Sequence, residues 1–557
     1  MPTNSLMPTP QKTAPTPFEQ TVLLGFGVRR RRPNGSIRLY FRWGRIFTVF
    51  CIMLVGSYAA LATGLYYFFK YRQDYDDVSY WKMYTVLFQR EQHRREVGNY
   101  HIEQAKEELA RGNFQLALHY LRSGVPRAPD NLEGRLLLAE FFLRALRRPD
   151  MALEVIERGL PYASEEAGYM QNYLQLLLSL KRDESIIAFM DANLNKPEYS
   201  PDINRMIALA GATAHYYRGN YAVSQEIIEN NALDDTLEGL LLKSRILWDS
   251  GQQRSAIHLL ETAPPRFSKA DPLYAMLSRF QREQGNYSAA RRYTILRSAN
   301  NPLNVVPRIE LLYILKADGQ EARVRLESEA ILREYGNDEQ ALLALANYGT
   351  EEGNVELVRR AYERALQNGF NVSPFSLLLV EAMLVGGDNA GAIEFIEEIV
   401  REQPDWLRQN MPIFDSLRAV AYFSAGNAEL SQIYLNRFLS HKTTRVETLL
   451  AIAKRFNSLG GNDQARELLV RAYQQQPDNQ AVLTALLNQE MSMGYSSRLN
   501  RYLTQLLDMR RPPRELLEQA YLQLGSDRFI FTPDRQDLLI RIQAMLDQTK
   551  PAEEQSG

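Results

Sequence analysis

Residues 285–320 read GNYSAARRYTILRSANNPLNVVPRIELLYILKADGQ, and their punctuation decides the fold. A turn at Gly285-Asn286-Tyr287 opens an apolar-periodic run, and Ala290 and Pro302 follow at five and seventeen positions. The turn then returns as Gly319-Gln320, 34 residues after the first. Before this stretch lie Gly112-Asn113-Phe114, Gly219-Asn220-Tyr221 and Gly251-Gln252. After it come Gly353-Asn354-Val355, Gly387-Asp388-Asn389, Gly426-Asn427 and Gly460-Gly461-Asn462. Arg147, Lys181 and Gly494 hold equivalent places with weaker turn chemistry. Successive separations are 35, 34, 38, 32, 34, 34, 34, 34, 39, 34 and 34. Seven of these eleven are 34, which marks an internal repeat.

Small residues keep the same beat. Ala117, Ala256, Ala290, Ala392 and Ala465 lie five positions after a turn residue, and Gly124, Ala263, Ala365 and Ala472 lie twelve after one. Pro129, Pro302, Pro404 and Pro477 lie seventeen after one, where a proline stops a helix. Two antiparallel helices approach closely only where side chains are small. A lone pair cannot bury its apolar stripe, so neighbouring pairs must stack.

A 34-residue helix–turn–helix beat with these offsets resembles the tetratricopeptide repeat. Asp130-Asn131 and Asp478-Asn479 are similar to that family's inter-repeat turn. The resemblance covers residues 98–510 and implies an all-α, right-handed α-solenoid of about 12 helical hairpins. Several units lack the family's first-helix aromatics, and the intervals of 38 and 39 predict insertions near Asn195–Asp202 and Gln403–Pro412. Residues 511–557 read as a C-terminal helical cap, Arg514–Leu524 and Asp534–Leu546, with a frayed tail at 551–557.

Ahead of the repeats, residues 46–69 read IFTVFCIMLVGSYAALATGLYYFF without a formal charge. A helix of that length spans roughly 36 Å, enough for a hydrocarbon core of about 30 Å. Tyr58, Tyr66, Tyr67, Tyr71 and Tyr75 gather mostly toward its far end, as interfacial aromatics do. Arg29, Arg30, Arg31, Arg32, Arg38, Arg42 and Arg45 precede it, whereas Lys70 and Arg72 are followed by Asp74, Asp76 and Asp77. That asymmetry predicts a single-pass protein of the cytoplasmic membrane, with the N-terminus in the cytoplasm and the solenoid outside it. A signal-peptidase site at Ala60-Leu61-Ala62 is the competing reading; apolar residues running on to Phe69 argue against it. Lipidation at Cys51 is disfavoured by the bulky Phe50 before it.

The N-terminal head, residues 1–45, begins with a Pro/Thr/Ser-rich stretch, 1–17, that reads as disordered. Val22, Leu24, Phe26 and Val28 then alternate, as do Ile37, Leu39, Phe41 and Trp43, around an Asn34-Gly35 turn signal. This predicts a β-hairpin over 21–43, which serves either as a basic flank on anionic lipid or as a docking element. Residues 70–97, with Trp81, Tyr84 and Phe88 on one helical face, predict a capping helix or an interfacial stalk.

Composition narrows the chemistry. There are 65 basic and 66 acidic residues, a balance that gives no reason to expect nucleic acid. The single cysteine excludes an internal disulfide or a CxxC metal or redox site. No phosphate loop, HExxH, GxSxG or calcium-loop pattern occurs. His93, His101, His119, His215, His258 and His441 are scattered without ligand partners at helical spacing. The pairs Glu351-Glu352 and Glu397-Glu398 occupy adjacent helical positions, which face different directions. No catalytic residue, cofactor or metal is expected, and the chain reads as a non-enzyme.

The resemblance instead implies a partner-binding groove lined by each unit's first helix. Carried over by register, its candidates are Tyr216, Tyr217, Glu238, Arg245, Asp249, Arg279, Arg282, Glu283, Tyr313, Lys316, Asn347, Glu351 and Lys454. Aromatics and arginines are the residue types that dominate interface energy. Arginine outnumbers lysine 53 to 12, as in GC-rich bacteria. The expected function is therefore a membrane-anchored scaffold binding partner proteins within a bacterial envelope complex, such as polysaccharide export, pilus or secretion assembly, or envelope biogenesis. A peptide-binding chaperone or receptor, and an enzyme with an unrecognised site in the solenoid, are the alternatives.

Overall fold

A computed structural model describes residues 19–31, 36–72, 78–85, 89–264, 267, 270–441, 444–494 and 498–548. The expectations for residues 1–17, Arg32, the Asn34-Gly35 turn, Asp74, Tyr75, Asp76, Asp77, Phe88 and the 551–557 tail lie outside the described residues. The chain forms two compact units, Met1–Tyr169 and Met170–Gly557.

The first unit opens with three antiparallel strands, Glu19–Val22, Gly27–Arg31 and Ile37–Phe41, in that spatial order. The second and third pair antiparallel, with Val28 opposite Tyr40 and Arg29 opposite Leu39. The run from Val22 to Val28 is not one strand, however. Leu24 adopts a left-handed φ of 53° beside Gly25 at 93°, so the chain reverses there and a third strand forms. Alternation alone cannot see such a reversal, because two polarity patterns meet in phase.

Helix Trp43–Arg72 follows, 30 residues long and starting three residues before the uncharged stretch. Among the described residues it is the one helix long and apolar enough to cross a membrane. Phe47, Phe50, Ile52, Met53, Leu54, Val55 and Leu61 stand exposed along it. Its second half is covered on one side. Ala62 packs with Val78, Met83 and Val97, and the Tyr58 hydroxyl donates to the Tyr84 carbonyl. The short helix Tyr80–Thr85 therefore lies along the apolar helix, and Arg90–Ala110 begins the first hairpin.

Twelve helix–turn–helix pairs follow among the described residues, two in the first unit and ten in the second. Within each unit most successive helices pack on their chain neighbours, the arrangement of a tetratricopeptide-like solenoid. Every turn residue in the 34-residue series, from Gly112 to Gly494, has a left-handed φ between 50° and 85°, the non-glycines Arg147 (50°) and Lys181 (56°) included. At Gly285 the reason is visible. Its N–H bonds the Arg282 carbonyl at 2.9 Å and the Asn286 N–H bonds the Gln281 carbonyl at 2.8 Å, the pair of bonds that satisfies a helix's last carbonyls only with a left-handed residue between them. Asn286 then caps the next helix through Oδ1, accepting from the Ala289 N–H, and Asn354 and Asn427 do the same. Each of these three Gly-Asn pairs thus ends one helix and starts another.

The small-residue offsets are helix crossings. Ala117, Ala256, Ala290, Ala392 and Ala465 are fully buried, as are Ala365 and Ala472. The irregular intervals also have physical counterparts. The interval of 35 contains one turn of π-helix at Phe141–Ala145, where the Leu146 N–H reaches the Phe141 carbonyl and absorbs a single extra residue. The intervals of 38 and 39 lengthen first helices to 18 residues, Pro201–Arg218 and Leu407–Ser424. The interval of 32 holds the ten-residue second helix Tyr221–Asn230.

Candidate functional site

First helices within the second unit end on polar and aromatic side chains. Pro201–Arg218 carries Tyr216 and Tyr217 in its last turn, and Leu237–Asp249 carries Arg245 and Asp249. Asp271–Glu283 carries Arg279, Arg282 and Glu283. None of the thirteen predicted groove residues is buried: Tyr216, Tyr217 and Tyr313 are half-buried, and the other ten are exposed.

Some of them come together. The Tyr216 hydroxyl donates to Asp249 Oδ2 at 2.6 Å, and Arg279 Nε donates to Glu283 at 2.7 Å. Burial pushes the Asp249 carboxyl up, opposed by the Tyr216 hydrogen bond and the Arg279 and Arg511 charges. Asp249 is open to water yet surrounded by protein on most sides, the condition that desolvates a carboxylate without hiding it. Burial, then the Asp249 charge, pushes the Tyr216 phenol up as well. Further along, the Tyr313 hydroxyl donates to Glu351 at 2.9 Å, and Lys316 pairs with Glu321 and Glu352 at 2.7 and 3.6 Å. Both tyrosines bridge to the first helix of the next unit. The remainder stand apart. Glu238 sits in the first turn of its helix, Asn347 bonds the Leu343 carbonyl of its own helix, and Arg282 and Lys454 are exposed on theirs.

The sequence does not reveal what lies opposite. Segment 508–511 returns to the start of the second unit, with the Arg511 N–H bonded to the Tyr217 carbonyl at 2.8 Å. Arg510 forms a two-pronged ion pair with Asp183, 2.8 Å on each oxygen, donates to the Leu178 carbonyl, and stacks on the Tyr217 ring at 3.9 Å. Behind this seam is a cavity of about 860 Å³. One wall is the small, polar stripe Ala481, Thr484, Ala485 and Asn488 of helix Gln480–Met493. The other is Tyr216, Tyr217, Tyr221, Trp248 and Asp249. Lys181, Gln480, Arg511, Pro512, Pro513 and Arg514 complete the lining. Trp248 is held by a parallel stack on Phe280, ring centroids 4.0 Å apart. The Lys181 ammonium is pushed down, by burial first and then by Arg510. Of the lining, sequence register names Tyr216, Tyr217 and Asp249; the basic, proline-broken run Arg510-Arg511-Pro512-Pro513-Arg514, which interrupts the repeat, was the available signal for the rest.

Among the described residues no three His, Cys, Asp or Glu side chains gather as a metal-ligand set. No protein-family model matches the chain, and no curated protein matches it. Solved structures do. The type IV pilus biogenesis factor PilW is 20% identical over 39% of this chain and 98% of its own, with a TM-score of 0.30. A tetratricopeptide repeat protein from Parabacteroides merdae is 16% identical over 45% and 98%, TM-score 0.27. Cut9, in an APC/C hetero-tetramer with Hcn1, is 11% identical over 81% and 96%, TM-score 0.25. Scores this far below 0.5 carry no argument about what the chain does.

Proposed function

We propose that the chain is a non-enzymatic scaffold of a bacterial envelope complex, tethered by one membrane-spanning helix and holding a partner protein on the first-helix face of its hairpins. The observation that carries this is the unburied row of Tyr216, Asp249, Arg279, Tyr313 and Glu351, presented by rigid helix ends beside an 860 Å³ cavity. Aromatic rings lose little freedom on contact and the planar arginine fork offers several donors at once, which favours a protein partner over solvent. The exposed oily surface of Trp43–Arg72 supports the tether, and the arginines before it support a cytoplasmic N-terminus with the hairpins outside. Tethering raises the effective concentration at the membrane, so modest contacts suffice.

Affinity purification of the detergent-extracted full chain tests the reading. A stable partner is expected with the native chain and lost with an Arg279→Ala/Tyr313→Ala variant. Recovery of many unrelated unfolded polypeptides, insensitive to those substitutions, would assign the chain to chaperones instead. Protease protection in spheroplasts checks orientation: hairpins digested from the outside support it, and protected hairpins overturn it.

A further inference from the structure

The seam that closes the second unit joins residues about 300 positions apart, and it is built from charge rather than from oil. Asp183, 3% exposed, faces Arg510, 15% exposed. Arg218 reaches across to the Asp508 and Met509 carbonyls, and its other nitrogen lies 3.3 Å from Glu184. A buried ion pair has a particular energetic character. Its Coulombic gain is offset by the loss of hydration of both partners, so closed and open forms lie near balance. An apolar contact of the same size has no such balance, because opening it only exposes oil.

The seam and the cavity also share parts. Tyr217 receives the Arg511 N–H and the Arg510 guanidinium, and Tyr217 and Arg511 both line the cavity. Whatever fills the cavity touches groups that are in place only while the seam is shut. Occupancy and closure are then linked, each favouring the other by the same free energy.

We propose that Arg510 and Asp183 form a latch: the second unit opens at this seam to admit its partner and is held shut by the partner's presence in the cavity behind. This rests on the scaffold reading for the partner, but the latch itself belongs to the free chain. It makes the cavity wall around Tyr217, rather than the exposed first-helix face as a whole, a gated surface. Partner entry is limited by seam opening, and weakening the latch speeds capture and release together.

Pulsed electron–electron spin resonance on the full chain in detergent tests it, with C51S as background. One label pair spans the seam, A222C with E515C, and a second lies away from it, A322C with A390C; all four positions are exposed. The native seam pair is expected to show a dominant short-distance peak. Asp183→Asn, which leaves the Arg510 charge without its carboxylate, and Arg510→Met should each abolish that peak while the remote pair is unchanged. A seam distance unaltered by both substitutions would show that closure does not depend on the pair and would overturn the latch. Broadening of both label pairs would overturn it too, because the ion pair would then hold the fold rather than a gate. Neither distance involves a partner, so failure of partner capture leaves this result standing, and a static seam leaves the scaffold reading standing.

Discussion

The Tyr216 hydroxyl donates a 2.6 Å hydrogen bond to Asp249, tying the end of one first helix to the end of the next. It also offsets part of the burial that raises the Asp249 carboxyl. An acid whose pKa is raised on folding binds protons more readily in the folded chain, so it lowers stability as pH climbs from the ordinary aspartate value of about 3.9 toward the raised one. Asp249→Asn should therefore be more stable than the native chain at neutral pH, with the difference vanishing below that window. Denaturant unfolding at pH 7 and at acidic pH checks it, and equal differences at both would contradict it.

Tyr216→Phe removes the donor and leaves the carboxylate less satisfied. A loss of about 1 kcal/mol is expected at neutral pH, smaller in acid, where Asp249 is protonated. The same unfolding series reads it.

Arg147 holds a left-handed φ of 50° at the turn that follows the π-helical stretch Phe141–Ala145. A side chain in that conformation costs about 1–2 kcal/mol that glycine does not incur. Arg147→Gly should raise stability by about 1 kcal/mol, visible as an upward shift in Tm. A drop would mean that the arginine side chain makes a contact worth more than the strain.

Gly124 is buried where two helices cross, and a Cβ built there would lie 2.7 Å from the Gly98 carbonyl oxygen. Backbone cannot swing aside as a side chain can. Gly124→Ala should destabilise the first unit by about 1–3 kcal/mol, seen as faster hydrogen exchange in Arg90–Ala110 and Phe114–Gly124.

Trp248 is 8% exposed and stacks on Phe280 with ring planes within 5° of parallel. Its truncation to alanine should cost about 3–5 kcal/mol. Trp248→Phe keeps most of the packing and should remove the fluorescence change that filling of the cavity produces in the native chain.

How much of this was legible depends on sequence distance. The hairpin beat could be read because the units share one local bargain between geometry and sterics: a left-handed residue to end a helix, in several units a polar side chain to cap the next, and an alanine or glycine where helices cross. Even Arg147 and Lys181, which lack glycine's freedom, were placed by spacing alone and have the expected backbone. The irregular intervals marked where lengths change, although nothing in 35 distinguishes a π-turn from a longer loop. The strand between Val22 and Val28 misled because alternation carries no sign of direction. The cavity was hidden for a different reason. Asp183 and Arg510 are 327 positions apart and belong to no common period, so only folding brings Lys181, Trp248 and Asn488 around one cavity.

An open row of stacked hairpins loses its outermost members first, since a terminal unit has one neighbour where an inner unit has two. The bonds from segment 508–511 tie Asp183–Asn193 and Pro201–Arg218, near one end of the second unit, to the part of the chain near its other end. Those two ends should consequently lose amide protection together, and ahead of the midpoint, each time the seam opens.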